Sequence, residues 1–268
     1  MQAHEGAARR PALAQFEITT RCNFTCFYCA GRAMHQGDMP FEMFDGLLTA
    51  HVHRYGAPGV VSLQGEGEPT LHPDFFRMAG RVREIGSEPY TITNGTYHHP
   101  ARFVNVFSRV GVSVDTLDAA AARQIGRHNL PRVLGFIEAL APHVRVVIHS
   151  IARRKATAQI AQWCQQRGFQ HVVQPLQTKA DYSYLYPTQT RGEPAASGRF
   201  SCSYLAHHPM RYYALSGAEL PCSFIKDLTR YPGLPSMLCH QNEGTRPPCC
   251  SGCRYGTGGA AVPAPSGT

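Results

Sequence analysis

The chain is predicted to be an α/β protein: repeated strand–helix units on a parallel sheet, followed by a small cysteine-rich C-terminal segment. Three observations carry that reading. Over residues 13–180, short apolar runs rich in β-branched residues alternate with amphipathic helical stretches, the pattern of βα units whose strands run parallel. Short glycine-rich or polar motifs follow strand after strand, which is where α/β folds gather their active sites. Six of the ten cysteines, Cys202, Cys222, Cys239, Cys249, Cys250 and Cys253, then crowd into the last quarter of the chain.

Taken in order, the expected strands are 15–20 (QFEITT), 60–64 (VVSLQ), 90–94 (YTITN), 111–115 (GVSVD), 144–151 (VRVVIHSI) and 171–177 (HVVQPLQ). Expected helices between them include 73–86, 130–142 and 155–169, each stopped by Gly or Pro. Past residue 180 the sequence is rich in Tyr, Pro, Gly and Ser with no helical or strand period, which predicts a linker or lid at 181–201. The ends are read as an N-terminal extension over 1–12 and a flexible tail over 254–268.

At 268 residues and 43% hydrophobic side chains the chain can bury a full core but not two large independent domains. It has no run of eighteen apolar residues and no apolar signal segment at its start, so neither a membrane partner nor export is expected and the location is read as cytoplasmic. Ten cysteines in a reducing compartment argue for metal ligation or redox chemistry rather than disulfides. The net charge of +8 comes from scattered arginines, with only Lys155, Lys179 and Lys226 as lysines and no basic block, so nucleic acid is not expected as a partner.

The most informative motif is RCNFTCFYC, which spaces Cys22, Cys26 and Cys29 as C-x3-C-x2-C. Three thiolates leave one corner of a metal cluster open for a small molecule, whereas a structural metal site closes its sphere with four protein ligands. A zinc knuckle that borrows a distant fourth ligand shares the spacing. With Tyr28 just before the last cysteine, the motif resembles the radical SAM superfamily. That resemblance covers residues 13–180 and implies a partial (β/α)6 barrel, a 4Fe-4S cluster on Cys22, Cys26 and Cys29, S-adenosylmethionine on the open iron, and reductive cleavage to a 5'-deoxyadenosyl radical.

GEGEPTLHP follows the second strand and is similar to the family's glycine–glutamate motif. The resemblance assigns Gly67, Glu68 and Pro69 to the cofactor. A carboxylate suits its cationic amino group, and glycine admits close backbone approach. Glu66 departs from the family pattern and is read either as a turn residue or as facing substrate. Thr93 and Asn94 after the third strand, and Ser113 and Asp115 closing the fourth, occupy places where family members meet the ribose and methionine carboxylate, although Asn-Gly is also a common turn. Glu17 and Thr19 alternate with apolar neighbours on the first strand. Glu17, Glu66, Asp118 and Arg153 are the candidate substrate contacts.

At the C-terminal end Cys202, Gly217 and Cys222 form a C-x14-G-x4-C pattern, closed by Cys250 and Cys253. This resembles the SPASM and twitch auxiliary-cluster domains, and the cysteine count favours a twitch domain at 202–253 holding a second 4Fe-4S cluster; tetrahedral zinc suits four cysteines equally. Cys164, inside a helix, reads as a small buried apolar residue. Cys249 remains as a thiol able to give a hydrogen atom to a substrate radical, with a bystander role or a ligand exchange with Cys239 or Cys250 as alternatives. With strand one so close to the start, no room is expected for a leader-peptide domain. The resemblance therefore runs to the members that act on aminoglycosides and aminocyclitols, and implies an epimerase of an aminoglycoside or sugar with Cys249 as hydrogen donor, or a dehydrogenase of an aminocyclitol alcohol, with peptide modification as a third reading. A flavodoxin or ferredoxin is the expected reductant.

Overall fold

A computed structural model describes residues 11–174, 199–207, 209–225, 228, 231, 233–235, 243–250, 253 and 255–258. The expectations about the N-terminal extension, the 181–201 linker, Cys239 and the tail fall largely or wholly outside them.

Strands β1 (Leu13–Phe16), β2 (Val60–Leu63) and β3 (Glu88–Tyr90) pair in parallel, as do β4 (Ile92–Thr93), β5 (Arg109–Ser113), β6 (Arg145–Ile151) and β7 (Gln170–Gln174). Thr91 joins the two sets: its hydroxyl donates to the Leu63 carbonyl at 2.8 Å and its own carbonyl accepts the Gly111 N–H at 2.9 Å. Gln15 on β1 and Gln174 on β7, at opposite ends of this series, line one cavity, so the sheet curls. The alternating parallel units expected from sequence are present. Two boundaries differ. The first strand ends at Phe16 instead of running over 15–20, because from Ile18 onward the backbone bonds to Gly37 and Met39 of the next loop. The 90–94 strand is split at Thr91.

Helices α1 (Phe41–Tyr55), α2 (Phe75–Glu84), α3 (Ala101–Val104), α4 (Ala119–Ile125), α5 (Leu130–Leu140) and α6 (Arg154–Arg167) connect the strands. Their apolar faces bury Phe44, Leu48, Phe75, Met78, Val82, Phe103, Phe136 and Ile137 against the outward residues of the strands, such as Val61, Leu63, Val110, Val112 and Ile148. Burying side chains of this size contributes about 1.5–3 kcal/mol each. Cys164 is 1% exposed within this core, as its helical position predicts.

After α7 (Ser203–His207), which follows β8 (Ser201–Cys202), the chain returns to the sheet. Strand β9 (Met210–Tyr213) pairs in parallel with β1, Leu13 opposite Met210 and Phe16 opposite Tyr213, and turns through Gly217 into β10 (Glu219–Leu220). β8 pairs with β11 (Gly256–Thr257). The Phe16 and Tyr213 rings stack at 4.5 Å, and His51 Nδ1 lies 2.8 Å from the Tyr213 hydroxyl, so α1 and β1 both clamp the returning strand. A second apolar cluster, Met210, Tyr212, Ala214, Leu220, Cys222, Ile225 and Cys249, forms behind it. No described helix is long and apolar enough to cross a membrane.

Candidate active site and cysteine centres

Cys22, Cys26 and Cys29 sit in the loop after β1. Backbone contacts hold that loop: Thr25 N–H donates to Gly126 at 3.0 Å and Phe27 N–H to Ile125 at 3.1 Å. Gly126 ends α4 at φ +90°, and a Cβ there would meet the Thr25 carbonyl at 2.3 Å, so only glycine lets loop and helix end touch. On the opposite side Gly67 lies against the loop backbone, where a Cβ would fall 2.5 Å from the Thr19 carbonyl. All three cysteines line a cavity of about 280 Å³ together with Gln15, Gln64, Gly65, Glu66, Gly67, Glu68, Thr93, Asn94, Ser113 and Arg127. Burial pushes the Cys29 thiol up to about 12 and raises Cys26 as well, so the protein alone favours thiols and a bound cation is needed to hold thiolates.

Glu68 is 2% exposed and collects four donors: Thr70 N–H at 3.1 Å, the hydroxyls of Thr70 and Thr93 at 2.6 Å each, and Asn94 N–H at 2.6 Å. Burial raises its pKa, against the pull of those hydrogen bonds. It therefore ties the glycine–acid loop to the Thr93–Asn94 loop while lining the cavity. Pro69 opens the short turn behind it and is buried there. Asn94 donates to Asn23 Oδ1 at 2.7 Å, beside Cys22.

A buried trio anchors the other side. Asp115 is 2% exposed; Tyr28 donates its hydroxyl to Asp115 Oδ2, Arg127 Nε lies 2.7 Å from the same oxygen, and Ile151 N–H donates to Oδ1 at 2.8 Å. Arg127 also donates to the Tyr28 hydroxyl at 3.0 Å and the Ser113 carbonyl at 3.2 Å. Burial opposes its charge, but Asp115 and Tyr28 outweigh that and raise its pKa further. Sequence reasoning assigned Tyr28 and Asp115 to cofactor and missed Arg127. In the structure the first two bond to each other and to Arg127, and Asp115 reaches only a small adjoining cleft with Phe24, Thr116 and His128. A lone arginine after Gly126 carried no signal by itself.

The four substrate candidates separate. Glu66 lines the cavity, its Oε2 4.0 Å from the Cys29 sulfur. Glu17 sits just behind, 2% exposed, accepting the Glu66 N–H at 3.2 Å and a hydrogen bond from Tyr212. Gly65 makes room for it, since a Cβ there would lie 2.4 Å from Glu17 Cγ. Thr19 turns to the Gly37 carbonyl instead of the interior. Asp118 and Arg153 are exposed and away from the cavity: Asp118 caps α4 through Ala121 N–H at 2.6 Å, and Arg153 sits over the Phe27 ring. The Asp-Ala-Ala-Ala-Ala run is itself an N-cap signal.

Cys202, Cys222, Cys250 and Cys253 come from three separate stretches of chain and line one small apolar pocket with Phe200, Leu205, Phe224 and Tyr255. Burial lifts Cys222 to about 12; Cys250 is raised first by a hydrogen bond with the Cys249 thiol and then by burial. Cys249 itself is 4% exposed in the second apolar cluster and does not line the cavity of the first three cysteines. Among the described residues no three His, Cys, Asp or Glu side chains converge as around a single metal ion; the thiols of each set surround a volume instead.

The chain is similar to a GTP 3',8-cyclase of Paracoccus denitrificans, 30% identical over 250 residues that cover 83% of this chain and 71% of that protein. An S-adenosylmethionine-dependent nucleotide dehydratase of a Thermoplasmatales archaeon is 31% identical over 131 residues; there the match spans about half of each, 47% and 46%. Among solved structures, SuiB of Streptococcus suis bound to its precursor peptide SuiA superposes with a TM-score of 0.64 at 12% identity, covering 80% of this chain and 60% of that one. BtrN in complex with AdoMet and 2-DOIA gives 0.51 at 14% identity, covering 89% and 83%. At these identities the two structures attest the fold. The family model of the radical SAM superfamily matches residues 16–152.

Family membership implies S-adenosylmethionine and a 4Fe-4S cluster, and the residues present fit both. Among the described residues three thiols and no fourth cysteine face one cavity, whose other walls include glycines, amides, hydroxyls and the Glu66 and Glu68 carboxylates, groups able to bind a polar nucleoside. By the matched model over half its length, by the relative it covers through most of that protein's sequence, and by the three-thiol cavity at the strand ends, the chain belongs to the radical SAM superfamily.

Proposed function

We propose that the chain is a radical SAM epimerase that inverts one carbon of an aminoglycoside or sugar. Residues 13–180 form the partial (β/α)6 barrel and 202–253 a twitch-type domain. Cys22, Cys26 and Cys29 hold the first cluster, and Cys202, Cys222, Cys250 and Cys253 hold an auxiliary 4Fe-4S cluster. When bound, the first cluster and S-adenosylmethionine supply a radical that takes hydrogen from carbon. The chain's own residues orient the partners. Gly67, Glu68, Thr93, Asn94 and Ser113 would meet the cofactor and Gln15, Gln64 and Glu66 the substrate; all eight line the cavity.

The observation that carries the reading is the division of the described C-terminal thiols: four line one pocket, and Cys249, hydrogen-bonded to Cys250, lies beside it outside that lining. Its S–H bond gives a hydrogen atom to the substrate carbon from the face opposite the first abstraction. The thiyl left behind takes an electron and a proton, the electron from an external flavodoxin or ferredoxin. For this the Cys249 side chain has to turn out of its apolar cluster.

That burial favours a second reading, a dehydrogenase in which the substrate radical loses a proton and passes its electron to the auxiliary centre, leaving a ketone. Incubation with reductant, S-adenosylmethionine and a candidate aminoglycoside in deuterated water separates them. Deuterium at the inverted carbon, lost in Cys249→Ala, is expected for the epimerase. Ketone formed by both wild type and Cys249→Ala, with no deuterium at carbon, replaces it with the dehydrogenase.

A further inference from the structure

The inner face of the curled sheet carries polar residues where a packed core would carry apolar ones. Gln15, Ser62 and Tyr90 lie in register across β1, β2 and β3, and Gln64 stands one alternation further along β2, toward the cysteine loop. His149 enters from β6, its Nε2 2.8 Å from the Tyr90 hydroxyl. Gly111 between them is obligatory: a Cβ there would lie 2.7 Å from the Tyr90 oxygen and 3.0 Å from the His149 ring. Below, Arg109 covers the Tyr90 ring at 4.9 Å and meets Glu88 at 3.7 Å, closing the far end.

Four atoms of this sheet face are buried with no hydrogen-bond partner: Ser62 Oγ, Gln64 Oε1, Arg109 Nε and His149 Nδ1. Ser62 is 2% exposed, and Gln64 lines the cavity itself. Buried polar atoms are nearly always satisfied, and a set of orphans on one face marks a place where something else completes the bonds. Arg109 is charged but faces Glu88, and the others are neutral, since burial holds His149 down near 4. The lining carries two carboxyl groups, Glu66 and Glu68. Among the described lining residues the only cation is Arg127, already paired with Asp115. A polyphosphate therefore finds no unpaired cation in the described lining, whereas hydroxyl groups find acceptors and an ammonium finds a carboxylate.

We infer that Gln64, with Ser62 and the Tyr90–His149 pair in the sheet face behind it, forms the specificity subsite of this cavity and takes the hydroxyl-bearing edge of a small amino-polyol whose ammonium faces Glu66. This rests on the small-molecule reading above and deepens it. It also separates the chain from its nucleotide-acting relatives by the chemistry of the floor.

The test uses the full chain with its clusters restored anaerobically, plus S-adenosylmethionine and dithionite, titrated with scyllo-inosamine, scyllo-inositol and GTP, reading 5'-deoxyadenosine. Scyllo-inosamine is expected to stimulate wild type, inositol to do so with a higher KM, and GTP not at all. Gln64→Leu is expected to raise the KM for scyllo-inosamine about tenfold with little change in kcat, at wild-type iron and sulfide content, and Gln64→Glu, which keeps an acceptor, to recover most of it. Ser62→Ala, a smaller change, is expected to raise KM in the same direction. Stimulation by scyllo-inosamine with KM unmoved in both Gln64→Leu and Ser62→Ala overturns the subsite and leaves the proposed function standing. No response to scyllo-inosamine overturns the subsite, and a response to GTP alone overturns both.

Discussion

The two cysteine sets are built in opposite ways. Cys22, Cys26 and Cys29 lie within eight residues, on a loop whose shape is imposed by backbone bonds to Gly126, Ile125 and Gly37. Cys202, Cys222, Cys250 and Cys253 come from distant points of the chain and meet only because β9 returns to β1, β11 pairs with β8, and Arg246 donates to the carbonyls of Cys250, Gly256 and Gly258. The first set is written into a short motif, whereas the second depends on tertiary structure. The first faces a polar cavity open to ligands, and the second an apolar pocket.

That contrast can be broken in graded ways. The largest effect belongs to Cys26→Ala, which removes one of the three proposed cluster thiols: 5'-deoxyadenosine formation is expected to fall by about three orders of magnitude or more, with roughly half the iron retained if the proposed second cluster is present. Retained cleavage removes that loop from the chemistry. Cys222→Ala is the mirror experiment. It is expected to lose about half the iron and to keep reductive cleavage of S-adenosylmethionine without substrate. Unchanged iron, with zinc lost instead, makes the C-terminal site a zinc centre.

Arg127→Met tests the anchor of the first set. Removing one partner of a buried pair leaves Asp115 uncompensated, at a cost of about 3–5 kcal/mol, or a melting temperature lower by about 10 °C. A melt within two degrees or so of wild type shows the trio to be dispensable. The smallest effect concerns pH. Burial holds His51 and His149 near 4, below an unfolded value of about 6.5, so the unfolded chain takes up those protons first. Stability is full above about pH 6.5 and declines as pH falls from there toward 4. Urea midpoints at pH 7.5 and 5 measure it; the His51→Gln variant is expected to show the shallower decline, and an equal decline assigns the effect elsewhere.

Legibility in the sequence followed the same division. The βα alternation, the cysteine loop and the glycine–acid loop were readable because each is local: a period, a spacing, a turn. The gathering of Cys202, Cys222, Cys250 and Cys253 was readable only by resemblance. Arg127 and the polar floor of Gln15, Ser62, Gln64 and His149 were not, because what joins them is strand register and curl. Strand β9 does carry a local signal, the MRYYAL run before a Ser-Gly turn and a second short strand. Asp118 and Arg153 lie outside the described cavity lining, and a polar residue near a strand end serves a helix cap or a solvent-facing loop as well as a ligand contact.

The Gly126 contact bears on where this loop tolerates change. Helix α4 and the Thr25 backbone meet at 3.0 Å with no side chain between them, so the entry to the three-thiol loop is pinned by main chain alone. Any bulkier residue at that one position has to part helix from loop, and the thiols' mutual spacing shifts with it.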